Sequence, residues 1–387
     1  MIYLFFLPFF LMAKPFEGDV AAKSAVLMNA NTGVILFEKE AHTPLHPAST
    51  TKIATALFVL ENKIDLDRMT TVSGESLRLK PLKDRELAPA FWLESDGVAM
   101  GLKRGETVSL ESLLHGLMLL SGNDAANVIA ESVGGSVPKF MDMVNAYLKN
   151  IGCHNTHFRN PHGLTHPEHL STAYDLALMM QKALRLEKFR KLISSLSYSH
   201  PKTNKQESSE LKQFNPLIKP KSKHYYAKAI GGKTGYTKAA KYNLVAAAED
   251  QGRELIAVVM GCETSADRFE EVKKLFEMAF KEKKEKRRLI DSEHVFAKEI
   301  DGAKSTLRAG LAKDLSIEYF PSEEPKCKAL LYWDTTTLPI QKGQKVGEVH
   351  VQNEQGLFLQ KGDLLALDEV KGTFLFRIKN FFRSITK

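Results

Sequence analysis

Two short apolar runs, residues 24–28 and 34–37, flank Asn29-Ala30-Asn31-Thr32-Gly33 and predict a β-hairpin whose glycine supplies the positive φ of its turn. After Pro47 the pattern becomes helical, with Ile53, Ala56, Leu57 and Leu60 recurring at core-facing spacing. Residues 109–120 and 124–133 predict two more helices, broken by Ser121-Gly122-Asn123, and residues 172–186 predict another. Paired strands are expected at 244–248 and 255–261 around the turn Asp250-Gln251-Gly252-Arg253, followed by a helix over 268–281. From about 289 to 370 short alternating strands with Gly and Pro turns predict a separate small β domain, and the basic run 281–288 marks the boundary.

The two ends follow different patterns. Residues 2–12 form an apolar stretch ending at Ala13, too short to span a bilayer and suited to the core of an export leader, although a basic n-region is missing. A buried first strand is the competing reading. Over 373–387, Phe374, Ile378, Phe381, Phe382 and Ile385 fall in one sector at about 100° per residue, with basic and polar residues opposite. Phe376 is the exception, landing among the polar positions. Aromatic bulk flanked by Arg and Lys predicts a helix lying in a membrane interface, and too few apolar residues are consecutive for it to span. The expected division is therefore 1–13, 14–285, 286–370 and 371–387.

Composition changes this picture little. The 387 residues carry a formal charge of +8, concentrated in runs at 219–228, 281–288 and the last dozen residues. Nucleic acid is one reading of that excess, an anionic membrane or cell-wall polymer another, and solvated surface a third; the partner expected once the motifs below are weighed is not a nucleic acid. Cys153, Cys262 and Cys327 are few and far apart, with no CxxC, and define no disulfide framework or zinc knuckle. His154, His157, His162, His166 and His169 crowd one segment without an H-E-x-x-H pattern, so they read as ordinary loop histidines and no metal site is expected.

The chemistry lies in three strings in fixed order: Ser49-Thr50-Thr51-Lys52, Ser121-Gly122-Asn123 and Lys233-Thr234-Gly235. Ser-x-x-Lys alone carries little weight, because five occur, starting at Ser49, Ser136, Ser199, Ser209 and Ser384. Only Ser49 is followed by both other strings, each of which occurs once. A serine hydroxyl needs a base, and Lys52 lies one helical turn beyond Ser49, within reach of Oγ. An ordinary lysine near ~10.4 cannot serve at neutral pH, but burial and a neighbouring cation, here Lys233, would depress it. Ser121 can relay a proton to a leaving amine, and the Asn123 carboxamide can hold a peptide carbonyl or orient Lys52. Lys233 and Thr234 lie on a Gly-rich strand edge with room for substrate as an added strand, where they can bind a terminal carboxylate.

In that order the strings resemble the signature of low-molecular-weight penicillin-binding proteins, serine-type D-Ala-D-Ala carboxypeptidases. The resemblance extends to Ala30-Asn31-Thr32-Gly33, Pro47-Ala48, Asp124-Ala125-Ala126, Asn160-Pro161-His162-Gly163-Leu164, Ser171-Thr172-Ala173-Tyr174-Asp175 and Val258-Val259-Met260-Gly261. It implies an α+β fold: a β-lactamase/DD-transpeptidase-like catalytic domain with an antiparallel sheet beside a helical cluster, then a small all-β sandwich and an amphipathic anchor helix. Ser49 is then the acylated nucleophile, Lys52 the general base, and Ser121 with Asn123 the relay and positioning pair. Lys233, Thr234 and Arg268 would bind the substrate carboxylate, with Gly235 on the substrate strand and the backbone N–H groups of Ser49 and Tyr236 as oxyanion hole. No cofactor is implied.

The expectation is a protein of the bacterial periplasm, peripherally attached to the outer face of the cytoplasmic membrane. It would trim the terminal D-Ala from peptidoglycan stem pentapeptides, acting in wall synthesis and cell shape, and be acylated by β-lactams. A serine β-lactamase is disfavoured because no Glu-x-x-x-Asn stands where the deacylating Glu would be, and Glu168 does not fit that pattern. The sequence leaves open a DD-endopeptidase, acting by the same acyl chemistry, and a weakly active wall-binding scaffold. Two departures stand out: Ala240-Lys241-Tyr242 where the family has Ala-Gly-Tyr, and a segment at 77–91 rich in Lys, Arg and Pro.

Overall fold

Five strands form the sheet that carries the Lys233-Thr234-Gly235 string: β1 Ser24–Asn29, β2 Ile35–Lys39, β3 Ala229–Thr237, β4 Lys241–Asp250 and β5 Arg253–Cys262. They run antiparallel in the order β2-β1-β5-β4-β3, which leaves β3 at an edge. The structure is a computed structural model that describes residues 3–6, 16–81, 83, 87–335, 337–354, 356–376 and 378. The predicted turn between β4 and β5 forms with Gln251 at φ 51° and Gly252 at φ 77°, the doubly left-handed geometry of a tight hairpin.

Both faces of this sheet are covered, so the middles of its central strands are continuous apolar runs instead of alternating with polar residues. On β5, Ile256, Val258 and Met260 pack into the helical cluster, while Leu255, Ala257 and Val259 pack with Phe269, Val272, Leu275 and Phe276. Those four aromatic and aliphatic residues lie on α7, Asp267–Phe280. Each such side chain taken from water contributes about 1.5–3 kcal/mol.

The helical cluster contains α1 Lys52–Glu61, α2 Leu110–His115, α3 Asn123–Gly134, α4 Val137–Asn150, α5 Ala173–Leu184 and α6 Glu187–Ser194. Ser109, Ser136 and Thr172 cap α2, α4 and α5, each side chain accepting a backbone N–H three residues on. The helix expected over 109–120 is not continuous: its second half, Gly116–Leu120, is a π-helical turn. A Cβ on Gly116 would sit 2.3 Å from Met100 Sδ, so any larger residue there would have to displace the Met100 side chain.

The chain divides into two compact units, Pro15–Lys281 and Glu282–Lys387 together with Met1–Lys14. The second holds a six-stranded antiparallel sheet in the order Tyr3–Phe6, Cys327–Trp333, Lys345–Asn353, Phe358–Ala366, Leu307–Leu311, Phe296–Lys298, and a pair formed by Glu285–Ile290 with Leu315–Tyr319. Its core gathers Leu307, Ala309, Leu331, Ile340, Val346, Val349, Val351 and Leu364. The division falls at the start of the basic run, and the second half of that run is a strand of the second unit. Of the stretch expected as a leader, only Tyr3–Phe6 is described, paired with Cys327–Trp333.

Most of the expected terminal amphipathic helix lies outside the described residues; Phe374–Phe376 and Ile378 are helical. Phe376, the residue that broke the amphipathic pattern, packs its ring where a Cβ on Gly302 would sit, 2.2 Å away, while Phe374 and Leu375 are 73% and 79% exposed. Among the described residues no helix is long and apolar enough to cross a membrane.

Candidate active site

Ser49 lies in the 3₁₀ turn Ala48–Thr51 that leads into α1. The residue before it, Ala48, adopts φ 51°, a left-handed conformation that costs an L-residue roughly 1–2 kcal/mol. Two glycines make room for this turn. A Cβ on Gly163 would lie 1.9 Å from Ala48 O and 2.9 Å from Ser49 N; one on Gly235 would lie 2.8 Å from Pro47 O and 3.2 Å from Ser49 N. The Asn160-Pro161-His162-Gly163 loop and strand β3 therefore press on the backbone beside Ser49 from two sides.

Lys52, the first residue of α1, is completely buried. Its Nζ is 3.0 Å from Ser49 Oγ, 2.7 Å from Asn123 Oδ1 and 2.7 Å from the His162 carbonyl oxygen. Burial foremost, and then the charge of Lys233, hold its amine well below the usual 10.5; the Asp124 carboxylate opposes them. A neutral amine has two protons and one lone pair. The two carbonyl oxygens can only accept, so they take the two protons and the lone pair is left for Ser49 Oγ–H.

Ser121 ends the π-helical turn in a left-handed conformation, φ 69° and ψ 32°, closed by a bond from Gly122 N–H to Gly116 O of 3.0 Å. This swings its hydroxyl to Lys233 Nζ, 2.9 Å away. The neighbouring Asp124 carboxylate accepts from the backbone N–H groups of Met100, Gly101 and Leu102 at 2.7–3.0 Å, fixing the start of α3 against the 98–102 segment.

On edge strand β3, Lys233 is buried and its Nζ also donates to Thr234 O at 3.0 Å. Burial first, and the Arg268 guanidinium second, lower it to about 7. Arg268, on α7, donates from Nη1 to Gly235 O at 3.2 Å, and its Nε is buried without a partner among the described residues. Tyr236 is 53% exposed and stacks on Tyr242 with ring centroids 4.4 Å apart. The residues singled out from the sequence thus gather in one region: Lys52 holds Ser49 and Asn123, Lys233 holds Ser121 and Thr234, Arg268 reaches Gly235, and Tyr236 is the next residue along β3.

Several participants were not singled out. His162 is not an ordinary loop histidine: it is completely buried, its carbonyl orients Lys52, and burial lowers its ring to about 3. Its neutral ring donates from Nε2 to Phe91 O at 3.1 Å and accepts Leu164 N–H at Nδ1. His169 is likewise buried. The 77–91 segment supports this loop at its far end, since Phe91 O also accepts from Asn127 Nδ2 at 2.8 Å and Ala90 O from Asn160 Nδ2 at 3.2 Å. Asn160-Pro161-His162-Gly163 was available as a signal, but the contact that His162 makes to Lys52 is through its backbone carbonyl, which every residue type possesses. Lys241, the departure from Gly, takes φ 57° at the β3–β4 turn and pairs with Glu263 at 3.2 Å, so the strand pairing survives.

Comparison with known proteins agrees in one direction. A family model described as D-alanyl-D-alanine carboxypeptidase matches residues 11–264. D-alanyl-D-alanine carboxypeptidase DacF of Bacillus subtilis is 32% identical over 362 residues, 90% of this chain and 86% of the relative. DacD of Salmonella typhimurium is 32% identical over 379 residues, 95% and 92% of the two chains. Among solved structures, penicillin binding protein 5 from Haemophilus influenzae gives a TM-score of 0.62 at 28% identity, covering 92% of this chain and all (100%) of that one. Penicillin binding protein 6B from Escherichia coli gives 0.62 at 28%, covering 91% and 96%.

Proposed function

The chain belongs to the D-alanyl-D-alanine carboxypeptidase family, hydrolases of the D-Ala-D-Ala bond, and on that premise we propose how its own residues carry the reaction. Ser49 Oγ attacks the carbonyl between the two D-Ala residues while Lys52 Nζ takes its proton. The oxyanion is received by the backbone N–H groups of Ser49 and Tyr236. The proton returns through Ser121 to the leaving D-Ala nitrogen, the C–N bond breaks, and the acyl group remains as an ester on Ser49. Water then attacks that ester with Lys52 again as base, releasing the shortened peptide and restoring the Ser49 hydroxyl. Lys233, Thr234 and Arg268 hold the terminal carboxylate, and Asn123 holds Lys52 and the substrate amide. β-Lactams acylate Ser49 by the same attack.

The observation that carries this reading is the set of three oxygens around Lys52 Nζ, which leaves its lone pair for one hydroxyl. We further place the protein on the outer face of the cytoplasmic membrane of a bacterial cell, held by the C-terminal amphipathic segment, a reading supported by the exposure of Phe374 and Leu375. The test of the catalytic reading is incubation with a diacyl-D-Ala-D-Ala peptide and with fluorescent penicillin. Wild type should release D-Ala and carry label on the peptide containing Ser49; Ser49→Ala should do neither. Release of D-Ala by Ser49→Ala at the wild-type rate would refute it.

A further inference from the structure

The strained residue beside the nucleophile is held by more than the two glycines. Thr51 Oγ1 donates to Ala48 O at 2.8 Å, and Thr50 Oγ1 donates to Pro47 O at 2.8 Å. Thr51 has one hydroxyl proton, so its other contact, His169 Nε2 at 2.9 Å, must be a donor to it. The opposite ring nitrogen agrees, because His169 Nδ1 accepts the backbone N–H of Arg159 at 3.0 Å and therefore carries no proton. The tautomer is fixed from both sides, and the ring is stacked on Phe158 at 4.8 Å in a completely buried position. The backbone of the same residue acts on the turn as well: His169 O accepts from His46 Nδ1 at 3.1 Å, and His46 O accepts from Asn243 Nδ2 at 2.9 Å.

We propose that Thr51 and His169 are positioning residues, a directed chain from Arg159 N–H through the imidazole and the threonine hydroxyl to the Ala48 carbonyl, which holds the left-handed turn that aims the Ser49 N–H and Oγ. A carbonyl locked by a hydroxyl cannot rotate without turning the peptide plane it shares with Ser49 N, so this chain sets the direction of one oxyanion donor. The chain touches no substrate. It acts on the orientation of the donor, which matters most when negative charge develops on the carbonyl oxygen. The inference rests on Ser49 as nucleophile and deepens that reading.

The test uses the full chain with Thr51→Val, which keeps the shape and removes the hydroxyl, Thr51→Ser, which restores it, and His169→Phe, which keeps the stack and removes Nε2–H. Thr51→Val is expected to lower kcat for D-Ala release and the rate of penicillin acylation on the order of 10- to 100-fold with KM unchanged. Thr51→Ser should stay near wild type, and His169→Phe should follow Thr51→Val. A folded Thr51→Val enzyme with wild-type kcat, a loss confined to KM, or a Thr51→Ser as impaired as the valine would overturn the proposal. If Thr51→Val does not fold, His169→Phe against Thr51→Ser decides by the same criteria. Ser49→Ala is run alongside: residual turnover there points to failure of the nucleophile reading rather than of the positioning chain.

Discussion

The α-carbon of Gly163 faces the carbonyl of Ala48 so closely that a methyl group on it would come within 1.9 Å of that oxygen. Ala48 is already in a left-handed conformation, and Gly163 itself stands at φ 96°, so neither residue can yield cheaply. Gly163→Ala should therefore move the Ser49 backbone and reduce the penicillin acylation rate by about 100-fold or more, with a lowered Tm. Acylation kinetics and thermal melting on the same preparation check it; an alanine variant with unaltered rate would mean that the turn is not held from this side.

Lys52 makes stability depend on pH in a definite direction. Its folded-state pKa is depressed, so between that value and 10.5 the unfolded chain binds more protons than the folded one. Stability must then decline as pH falls below 10.5. In Lys52→Met this slope is missing, and the Tm difference between variant and wild type should shift in the variant's favour as pH is lowered from 10 to 7. Melting curves across that range test it, and the same variant should show no acylation by penicillin.

Lys233 sets a second pH dependence. Its amine is brought down to about 7, so its hold on a carboxylate in the free enzyme weakens as pH rises through that value. For a carboxylate-terminated peptide kcat/KM should fall there. Arg268→Gln removes the second cause of the shift and should move that inflection to higher pH while raising KM. A profile whose basic limb stays in place in Arg268→Gln would contradict the assignment.

Removal of residues 373–387 should leave D-Ala release from a soluble peptide unchanged and shift the protein from the membrane to the soluble fraction. Sedimentation with membranes to the same extent as the full chain would argue that another segment holds it.

The sequence made the main elements legible because most are local: β-hairpins with Gly at left-handed positions, helices with Ser or Thr caps, and strands buried on both faces. The three strings were legible too, since the roles proposed for them each need a particular functional group, and the structure brings their side chains together. What stayed hidden depends on long-range packing. His162 and His169 sit in a segment of five histidines, and nothing in their spacing reveals that both rings are buried and neutral. Lys241 looked disruptive because family members have Gly there; a turn flanked by paired strands keeps it left-handed all the same. Phe376 broke an amphipathic pattern because it faces Gly302 rather than the side shared by Phe374 and Ile378.

The wide turn at Gly116–Leu120 makes the position of Ser121 a matter of residue count. A π turn accommodates one residue more than an α turn of the same rise, and each residue rotates the chain by about 100°. Deleting a single residue from this stretch would let it relax to regular α-helix and rotate the serine hydroxyl out of line with its lysine, although no catalytic side chain had been changed. Length here is a structural variable, and a segment one residue shorter would break the contact between Ser121 and Lys233 as effectively as losing Ser121 itself.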